Sequence, residues 1–415
     1  MGMPIDNPYY DALETRVPEQ REAALFHALP GQIALAKTTP GFARILKDVD
    51  PRAVTGRAAL AALPVTRKSS LIELQKDKPP FAGLAAAKAG DLARVFLSPG
   101  PIFDPEGRRP DWWRLARALY AAGFRRGDLV LNCFSYHLTP AGSMLETGAH
   151  ALRCAVIPGG VGNTESQVQA IQGLRPRCFT GTPSFLKIVL DKAAELGADV
   201  SSLARALVSA EALPASLRAE FNARGVRTLQ CYASADLGLI AYESEAQEGM
   251  IVDEALIVEI VRPGTGDPVQ EGEVGELVAT SFNPDYPLVR FATGDLSAVL
   301  PGPSPCGRTN LRIKGWMGRA DQTTKVKGMF VHPQQIAEIL RRHPQIKKAR
   351  LIVDRVNDND AMTLKCECAQ GGDALVQAID ETVRALTKLH GTVEIVKPGA
   401  LPNDGKVIED VRKIG

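Results

Sequence analysis

The sequence predicts an α/β fold in which a large N-terminal domain precedes a smaller α+β domain. From about residue 110 to residue 232, short apolar strands alternate with helices, a pattern typical of a mostly parallel sheet covered by helices on both faces. After Tyr242 the apolar residues recur at every second position, as in antiparallel strands. From about residue 322 a compact unit follows, in which strands and helices have a different order.

The N-terminal domain begins with helices and continues as alternating units. Apolar residues spaced by three and four positions predict helices within residues 16–29 and 43–49, so about the first 95 residues are expected to be mainly helical. The alternating region is predicted to contain helices at 112–122, 141–152, 165–173, 183–196 and 214–224, and strands at 129–134, 154–157, 177–180, 206–209 and 228–232.

Two further regions complete the predicted architecture. Antiparallel strands are expected at 256–261, 275–280 and 289–290, with a turn at 264–268 between the first two. The C-terminal unit has the βαββαβ order of a ferredoxin-like domain, with elements at 324–326, 333–342, 349–353, 363–368, 374–389 and 392–395. The predicted domains are therefore residues 1–319, with the helical start at 1–95, and residues 320–415.

Composition and charge exclude several classes of protein. The chain has 415 residues, which fits two or three domains. Its 49 basic and 47 acidic residues leave a formal net charge of +2, so no general attraction to nucleic acid or to an anionic membrane is expected. The first residues have neither the basic nor the apolar stretch of a signal peptide, and no apolar run approaches the ~20 residues that span a bilayer, so neither a signal peptide nor a membrane span is expected. Seven scattered cysteines without zinc-ligand spacing indicate reduced thiols and a cytoplasmic location.

The segment from Tyr286 to Leu296 contains the first candidate for a binding site. Thr293, Gly294 and Asp295 are expected to end a strand, because glycine permits a sharp turn that presents the aspartate. A carboxylate in such a turn suits a bidentate grip on the two hydroxyls of a ribose. The alternative is an ordinary loop that begins with an aspartate.

Two later segments extend this pattern. Residues 312–336 contain an arginine and an aspartate close to the predicted domain boundary and then a lysine–glycine turn, and residues 401–406 place a lysine after a glycine in a turn rich in Pro, Asn and Asp. With these segments the chain resembles the AMP-forming adenylate ligases, and within them it is most similar to the phenylacetate–coenzyme A ligases. The resemblance covers essentially the whole chain, through further motifs at 63–68, 132–142, 156–160, 182–184, 209–211 and 232–236.

The resemblance implies roles for individual residues in forming an acyl-adenylate. Lys406 would bridge the substrate carboxylate and the α-phosphate, and Asp295 and Arg319 would hold the ribose. Asp236 corresponds to the acidic residue that coordinates Mg²⁺, which is a glutamate in the family. The other residues assigned to the nucleotide are Ser98, Gly100, Ser209, Ala210, Glu211, Tyr232 and Ala233, and Tyr232 would stack on the base. The alternatives are a solvated lysine for Lys406 and a core aromatic at a strand end for Tyr232.

The resemblance also implies a domain rotation between two half-reactions. Asp321 would be the hinge, after which the C-terminal domain swings as a mobile lid. The turn at Lys327 and Gly328 would then replace Lys406 at the site and serve thioester formation. The acyl pocket is assigned to Tyr136, Leu138, Ala235 and Gly238, for which plain packing is the alternative.

The chain departs from the family where its phosphate-binding loop is expected. That loop is normally rich in Ser, Thr and Gly with a lysine near its end, whereas residues 97–107 contain three prolines, which have no N–H to donate. Asp104 and Glu106 add negative charge where phosphates are expected. Arg108 and Arg109 follow at once and are candidates to replace the lysine. A rigid structural turn is the alternative interpretation.

The resemblance therefore implies an ATP-dependent, AMP-forming ligase that converts an aromatic or arylacetic acid to its adenylate and passes the acyl group to coenzyme A. ATP, Mg²⁺ and coenzyme A are the expected cofactor and cosubstrates, with no zinc, nucleic acid or membrane, and a homodimer is one possible assembly. The first alternative is a catalytically silent relative that binds nucleotide or acyl-coenzyme A. The second is an adenylating enzyme with a different acyl acceptor.

Overall fold

A computed structural model of the chain describes residues 7–98, 101–320, 322–326, 329–356 and 359–412. It divides into two compact units, of which unit 1 comprises residues 1–258, 279–291 and 300–316, and unit 2 comprises residues 259–278, 292–299 and 317–415. The α/β fold class is confirmed, and a domain boundary between residues 319 and 320 stays a prediction. None of the described helices has both the length and the apolar character needed to cross a membrane.

Unit 1 begins with the expected helices, followed by short strands. In chain order these elements are α1 (Pro18–Lys37), α2 (Pro40–Ile45), α3 (Arg57–Ala61), β1 (Thr66–Arg67), α4 (Leu71–Asp77), β2 (Arg94–Ser98) and β3 (Ile102–Glu106). A proline in the first turn starts both α1 and α2, because its missing N–H is not needed there. Phe26, Leu29 and Ile33, spaced by three and four residues, are buried and form the apolar face of α1.

The pair β2–β3 corrects the prediction of a loop at 97–107. The two strands pair antiparallel, from Arg94 opposite Glu106 to Ser98 opposite Ile102. The reason is an alternation that the prolines obscure in the sequence: the side chain of Asp104 is buried, whereas its neighbour Phe103 is exposed. The expected phosphate-binding segment is therefore mostly a β-hairpin.

A nine-stranded sheet forms the centre of the fold. Its elements are α5 (Leu115–Ala121), β4 (Leu129–Asn132), α6 (Ala141–Ala151), β5 (Ala155–Pro158), α7 (Thr164–Leu174), β6 (Cys178–Gly181), α8 (Pro183–Glu195), β7 (Arg205–Val208), α9 (Ala215–Ala223), β8 (Arg227–Ser234), β9 (Gly238–Tyr242), β10 (Met250–Val252), β14 (Val299–Leu300) and β15 (Arg312–Ile313). The strand order is β14-β15-β10-β9-β8-β7-β6-β4-β5. Strands β4 to β8 pair parallel, and this confirms the predicted alternation of strands and helices.

A second sheet contains β11 (Leu256–Val261), β12 (Gly275–Ser281) and β13 (Phe291–Ser297), in the order β1-β13-β12-β11. The predicted strand at 289–290 is wrong, because the strand begins only at Phe291. The prediction that Thr293, Gly294 and Asp295 end a strand is also wrong, since all three lie inside β13. Gly294 has a left-handed backbone, with φ +77°, which only glycine adopts readily and which interrupts the regular strand geometry there.

The C-terminal part of unit 2 is an α+β structure. Its elements are β16 (Thr324–Val326), β17 (Met329–Val331), α10 (Pro333–Arg342), β18 (Lys348–Val356), β19 (Asn359–Glu367), α11 (Asp373–Thr387), β20 (Thr392–Val396) and β21 (Ile408–Asp410). The main sheet has the order β20-β19-β18-β21, and buried isoleucines of α10 and α11 pack in its core. The structure differs from the simple βαββαβ pattern in two respects: β16 pairs with an additional strand, β17, and a further strand, β21, lies beside β18.

Candidate active site

The carboxyl ends of β7 and β8 bring the first group of candidate residues together. Parallel strands end at the same edge of a sheet, so Ser209, which follows β7, lies beside β8. The Ser209 hydroxyl donates a hydrogen bond of 2.8 Å to the carbonyl of Cys231 and ties the two segments together. Ala210 has φ +68° and is exposed, so the backbone turns at the surface immediately after the strand.

Glu211 is held by the start of α8. Its carboxylate accepts hydrogen bonds from the backbone N–H of Ser184 at 3.2 Å and from the Ser184 hydroxyl at 2.9 Å. The sequence predicts a nucleotide-facing segment at 209–211. The structure gives it an exposed backbone whose shape is fixed by hydrogen bonds, and its role stays a prediction.

Tyr232 and Ala233 lie in β8, where the pairing with β9 is irregular. Tyr232 is opposite Ala241, and the register shifts between Tyr232 and Ala233, as at a β-bulge. Tyr232 is 9% exposed, which is the burial of a core aromatic, whereas Ala233 is only partly buried. Stacking of Tyr232 on a base stays a prediction.

The residues assigned to the acyl pocket have very different surroundings. The Tyr136 hydroxyl accepts a hydrogen bond from Asn132 and donates one to Glu146, both at 2.7 Å. Leu138 is 69% exposed, with φ +62°. Ala235 is partly buried beside Asp236. Gly238 is fully enclosed: a Cβ at this position would lie 2.6 Å from the carbonyl oxygen of Trp113.

Asp236 lies in the turn between β8 and β9 and forms an ion pair with Lys68. The Lys68 ammonium is 2.5 Å from one carboxylate oxygen of Asp236. The Asp236 side chain is fully buried, whereas the Lys68 side chain is 24% exposed. The other Asp236 oxygen is buried and has no hydrogen-bond partner among the described residues. An ammonium thus reaches the carboxylate that the sequence assigns to a metal.

A second buried carboxyl group, that of Asp104, lies close enough to Asp236 for the two groups to interact electrostatically. It is 0% exposed, and neither of its oxygens has a hydrogen-bond partner in the described part of the chain. Burial raises the pKa of Asp104 to about 8, and the negative charge of Asp236 adds to the rise, against the Ser98 hydroxyl and the Lys68 ammonium. The nearby Ser98 hydroxyl donates to the carbonyl of Ile102, at 3.2 Å.

Tyr286 completes what we call the buried acidic cluster, which consists of Lys68, Asp104, Asp236 and Tyr286. Tyr286 is 1% exposed, and its hydroxyl is a further buried oxygen without a partner among the described residues. Burial raises the pKa of Tyr286 well above its usual value, and the charges of Asp236 and Asp104 raise it further. The phenol therefore stays protonated and can donate a hydrogen bond.

The buried acidic cluster fits a hydrated divalent cation. Among the described residues, no group of three or more His, Cys, Asp or Glu side chains is arranged to hold a metal. Mg²⁺, however, is usually bound through one or two carboxylates together with water and substrate phosphates. Asp236 has one oxygen without a hydrogen-bond partner among the described residues, and Asp104 has two, so oxygen atoms of the kind that such an ion needs are present.

The residues assigned to the phosphates are only partly described. Ser98 is 5% exposed, ends β2 and uses its hydroxyl within the hairpin. Gly100 lies outside the described residues. Arg109, a candidate for the missing lysine, donates to the Asn283 side chain at 3.0 Å. Arg108 donates to the carbonyl of Asp91 at 3.1 Å. Both arginines are thus engaged with neighbouring loops.

In unit 2, Asp295 and Arg319 lie side by side, as the ribose assignment requires. An Arg319 nitrogen is 2.9 Å from an oxygen of Asp295, and the two residues form an isolated antiparallel bridge. A side chain at Gly294 would displace Arg319, because a Cβ there would lie 2.8 Å from the Arg319 guanidinium. Arg319 is 53% exposed and Asp295 16%, so the pair is accessible to a ligand.

Lys406 lies in a turn that several side chains of unit 2 hold in shape. The Gln322 amide accepts hydrogen bonds from the N–H groups of Val407 and Ile408 and donates to the carbonyl of Gly405. Gly405 has φ +71° and no room for a Cβ, which would lie 2.7 Å from Val274. The turn leads directly into β21, whose pairing with β18 places it at the sheet edge.

The Lys406 ammonium is 48% exposed and is 3.2 Å from Glu409. Burial alone would raise the pKa of Glu409, but hydrogen bonds from Lys406 and Arg350 hold it below its usual value. Arg350 contacts Asp404 as well as Glu409, so the acidic side chains of the turn share one buried guanidinium. Lys406 is therefore an exposed cation on a hydrogen-bonded turn, and Glu409 is its ion-pair partner among the described residues.

The remaining assigned residues, Asp321, Lys327 and Gly328, lie outside the described residues. Conversely, sequence reasoning does not single out Lys68 or Tyr286 as site residues, and it interprets Asp104 only as misplaced charge. The signal for Lys68 is its position at the end of the motif at 63–68. Nothing in the sequence pairs it with Asp236, which is 168 residues further along the chain.

Comparison with known proteins agrees with this arrangement. Residues 136–283 match the family model of the AMP-binding enzymes, and residues 328–412 match the C-terminal domain of AMP-binding enzymes. A phenylacetate–coenzyme A ligase of Thermus thermophilus is 30% identical, over 97% of this chain and 94% of that protein. One of Aromatoleum evansii is 29% identical, over 86% of this chain and 84% of that protein.

A solved structure shows the same fold over the full length. It is 2-hydroxyisobutyryl-CoA ligase in complex with 2-HIB-AMP and CoA in the thioesterification state, which is 24% identical and superposes with a TM-score of 0.72. The match covers 100% of this chain and 94% of the other. The chain therefore belongs to the AMP-binding enzyme family, in the phenylacetate–coenzyme A ligase branch of the AMP-forming acid–coenzyme A ligases.

Proposed function

We propose that this acid–coenzyme A ligase activates an aromatic or arylacetic acid with ATP and transfers the acyl group to coenzyme A, in the cytoplasm. The observation that carries the proposal is the end-to-end similarity to ligases named for phenylacetate, at 30% identity over 97% of the chain. The exposed, rigidly held Lys406 supports it, because adenylation needs a cation between two anions.

The chemistry explains why charged residues are needed. A carboxylate resists attack by a thiol, because oxide is a poor leaving group, and conversion to an adenylate supplies AMP as a better one. The incoming carboxylate and the phosphate repel each other, so a positioned cation lowers the barrier. Lys406 would bridge the two anions, while Asp295 and Arg319 hold the ribose. When bound, Mg²⁺ at Asp236 supplies further neutralisation of phosphate charge.

Thioester formation would use a different position of the C-terminal domain. By resemblance, residues 320–415 rotate about Asp321, and the turn at Lys327 and Gly328 takes the place of Lys406. The two half-reactions need different groups at one site, and a rotation separates them in time. Tyr136, Leu138, Ala235 and Gly238 would border the acid, and Ser209, Ala210, Glu211, Tyr232 and Ala233 the base.

The test is release of AMP from ATP, with Mg²⁺, coenzyme A and a panel of aryl and arylacetic acids. We expect AMP formation that depends on both the acid and coenzyme A. Lys406→Ala should lower the rate by about 10²–10³-fold, since it removes a positioned cation from the transition state. Lys365→Ala is the matched control, because Lys365 lies on β19 of the same unit and pairs with Glu394.

One observation favours a second candidate, a catalytically silent relative that binds nucleotide or acyl-coenzyme A. The β2–β3 hairpin replaces the expected loop of phosphate-binding N–H groups, and Asp104 adds a buried carboxylate to it. Measurable nucleotide binding without AMP release for any acid in the panel would favour this candidate and contradict the ligase proposal.

A further inference from the structure

The turn that carries Lys406, residues 401–406, is fixed to the C-terminal sheet on one side. The N–H of Leu401 donates to the Glu367 carboxylate at 2.7 Å, and the Lys348 ammonium donates to the carbonyl of Pro402 at 3.0 Å. Glu367 ends β19 and Lys348 begins β18, so both anchors belong to the two central strands of that sheet. The Lys406 turn therefore moves together with the C-terminal domain.

The next residue, Asn403, contacts a different part of unit 2, the connection between β11 and β12 at residues 262–274. Its side-chain oxygen accepts a hydrogen bond from the N–H of Val274 at 3.1 Å, and its side-chain nitrogen donates one to the carbonyl of Gly272 at 3.3 Å. A primary amide can make both bonds at once, because it carries an acceptor and a donor side by side. Asn403 thus ties the Lys406 turn to the β11–β12 connection.

Two glycines permit the close approach of these segments. A Cβ at Gly405 would lie 2.7 Å from the Val274 side chain. A Cβ at Gly264, in the same β11–β12 connection, would lie 2.9 Å from Pro333, the first residue of α10. The Lys406 turn and the start of α10 are therefore both docked on the β11–β12 connection.

The docked turn lies next to the proposed ribose site. A Cβ at Gly405 would lie 3.1 Å from Leu296, which directly follows Asp295 in β13. Gly405 directly precedes Lys406, so docking brings the lysine to the strand that carries the Asp295–Arg319 pair. The α-phosphate of a nucleotide is attached to the same ribose, so this is the position of the turn that suits adenylation.

We propose that Asn403 is a positioning residue for adenylation: its two hydrogen bonds hold the Lys406 turn on the β11–β12 connection, in the position from which Lys406 acts. Asn403 acts through the turn and does not itself contact substrate. The inference rests on the role of Lys406 in the proposed function and deepens it, because it names the contact that must break before the C-terminal domain can rotate.

The contact is suited to reversible docking. Asn403 is exposed, and a cleft lined by Arg262, Leu340 and Lys406 leaves the docked face incompletely packed. A domain that docks for one half-reaction and leaves for the next needs two positions of similar free energy. Near such a balance, the loss of two hydrogen bonds changes the docked population severalfold or more.

The first measurement is hydrogen–deuterium exchange of the full-length protein, without ATP, acid or coenzyme A, with mass spectrometry of the peptide that covers residues 268–276. Asn403→Ala removes the acceptor of the Val274 N–H, so this peptide should exchange about threefold faster or more. Gln377→Ala is the matched control, because Gln377 is also an exposed amide of unit 2 but donates to Glu381 within α11. The control should exchange like the wild type.

The second measurement separates the half-reactions. Acid-dependent exchange of labelled pyrophosphate into ATP, without coenzyme A, follows adenylation, and conversion of a supplied aryl-adenylate to the thioester follows the second step. Asn403→Ala should slow adenylation by about 5–20-fold, whereas its thioester formation should be faster than that of the wild type or within about threefold of it. A merely structural role would lower both rates alike. Thermal unfolding verifies that each variant is folded.

Two results would overturn the inference. One is exchange of residues 268–276 at the same rate in the wild type and in Asn403→Ala. The other is an equal loss in both half-reactions. Failure of the proposed function gives a different result, because the wild type then activates no acid of the panel. The exchange measurement needs no turnover, so it still decides whether Asn403 holds the Lys406 turn.

Discussion

Asp104 and Glu106 lie two residues apart on β3, and both side chains are buried, yet their surroundings differ. Glu106 accepts a hydrogen bond from Ser143 at 2.8 Å and pairs with Arg94 at 3.3 Å. Asp104 has no such partner in the described part of the chain and lies near a second carboxylate. Burial without such a partner disfavours the charged form of Asp104 and raises its pKa, whereas Glu106 has partners that compensate its charge.

The carboxyl group of Asp111 gives a prediction about the pH dependence of stability. Burial raises the pKa of Asp111 to about 7, although the carboxylate accepts hydrogen bonds from the N–H of Ala116 in α5. The unfolded chain loses this proton near pH 4, whereas the folded chain keeps it to about pH 7. The contribution of Asp111 to stability is therefore present below pH 4 and is lost as the pH rises through 7.

The free energy of unfolding of the wild type should fall by on the order of a few kcal/mol between about pH 4 and pH 7 because of Asp111. We expect Asp111→Asn to lack this fall. Asparagine keeps one acceptor for Ala116 and tolerates the local φ of +48°. Urea unfolding at several pH values measures the effect. Asp48→Asn, at a side chain that is 86% exposed, is the control. Parallel pH profiles for the wild type and Asp111→Asn would contradict the prediction.

The Asp295–Arg319 pair predicts an effect on nucleotide binding without a loss of stability. Hydrogen bonds to a charged group contribute roughly 1.5–3 kcal/mol, so Asp295→Asn should raise the KM for ATP by about 10–100-fold. Arg319 is 53% exposed, so the ion pair is screened by water and adds little to stability, and the free energy of unfolding should stay within about 1 kcal/mol of the wild type. Initial rates at varied ATP measure KM.

Glu338→Gln is a suitable comparison for Asp295→Asn. Glu338 also pairs with arginines in unit 2, but on the exposed face of α10, and the change should leave the KM for ATP unaltered. If both variants had the same KM as the wild type, the ribose assignment of Asp295 would be wrong.

Among the elements, the β8–β9 turn is the most tightly constrained. Gly238 has φ +71°, and a Cβ at this position would lie 2.6 Å from the carbonyl oxygen of Trp113. Gly225 has a similar φ of +83° but open space around it. The two glycines therefore separate the effect of backbone conformation from that of steric contact.

We expect Gly225→Ala to lower the free energy of unfolding by about 1–2 kcal/mol, from the left-handed backbone alone. Gly238→Ala should lower it by about 3 kcal/mol or more, because the methyl group also displaces Trp113 and the turn that carries Asp236. Chemical denaturation of both variants measures the difference. Equal losses would mean that the close contact with Trp113 relaxes without cost.

For the molecule as a whole, the proposed rotation predicts that the half-reactions can be separated. Lys406 would act only while the adenylate forms, so Lys406→Ala should still convert a supplied aryl-adenylate and coenzyme A to the thioester, within about threefold of the wild type. Its overall reaction from ATP should fall by the 10²–10³-fold given above. Chromatography of the thioester product measures both rates. An equal loss in both assays would place Lys406 in both steps.

The alternation of strands and helices was predictable, because hydrophobic periodicity is a local property of the chain. The parallel strands β4 to β8 lie within a few residues of the predicted positions. The prediction failed at the β2–β3 hairpin, where three prolines suggest a loop although Pro105 lies within β3, opposite Val95. It also failed at β13, where Gly294 suggests an ending and the strand continues to Ser297.

The sequence by itself determined the α/β class, the α+β character of the C-terminal part and the family, since these depend on periodicity and on motifs of a few adjacent residues. Only the tertiary structure decided that Lys68 reaches Asp236 and that Asp104 is buried without a hydrogen-bond partner among the described residues. The physical reason is that burial and charge contacts depend on residues far apart in the chain, here separated by 168 positions for Lys68 and Asp236. No local pattern encodes such a meeting.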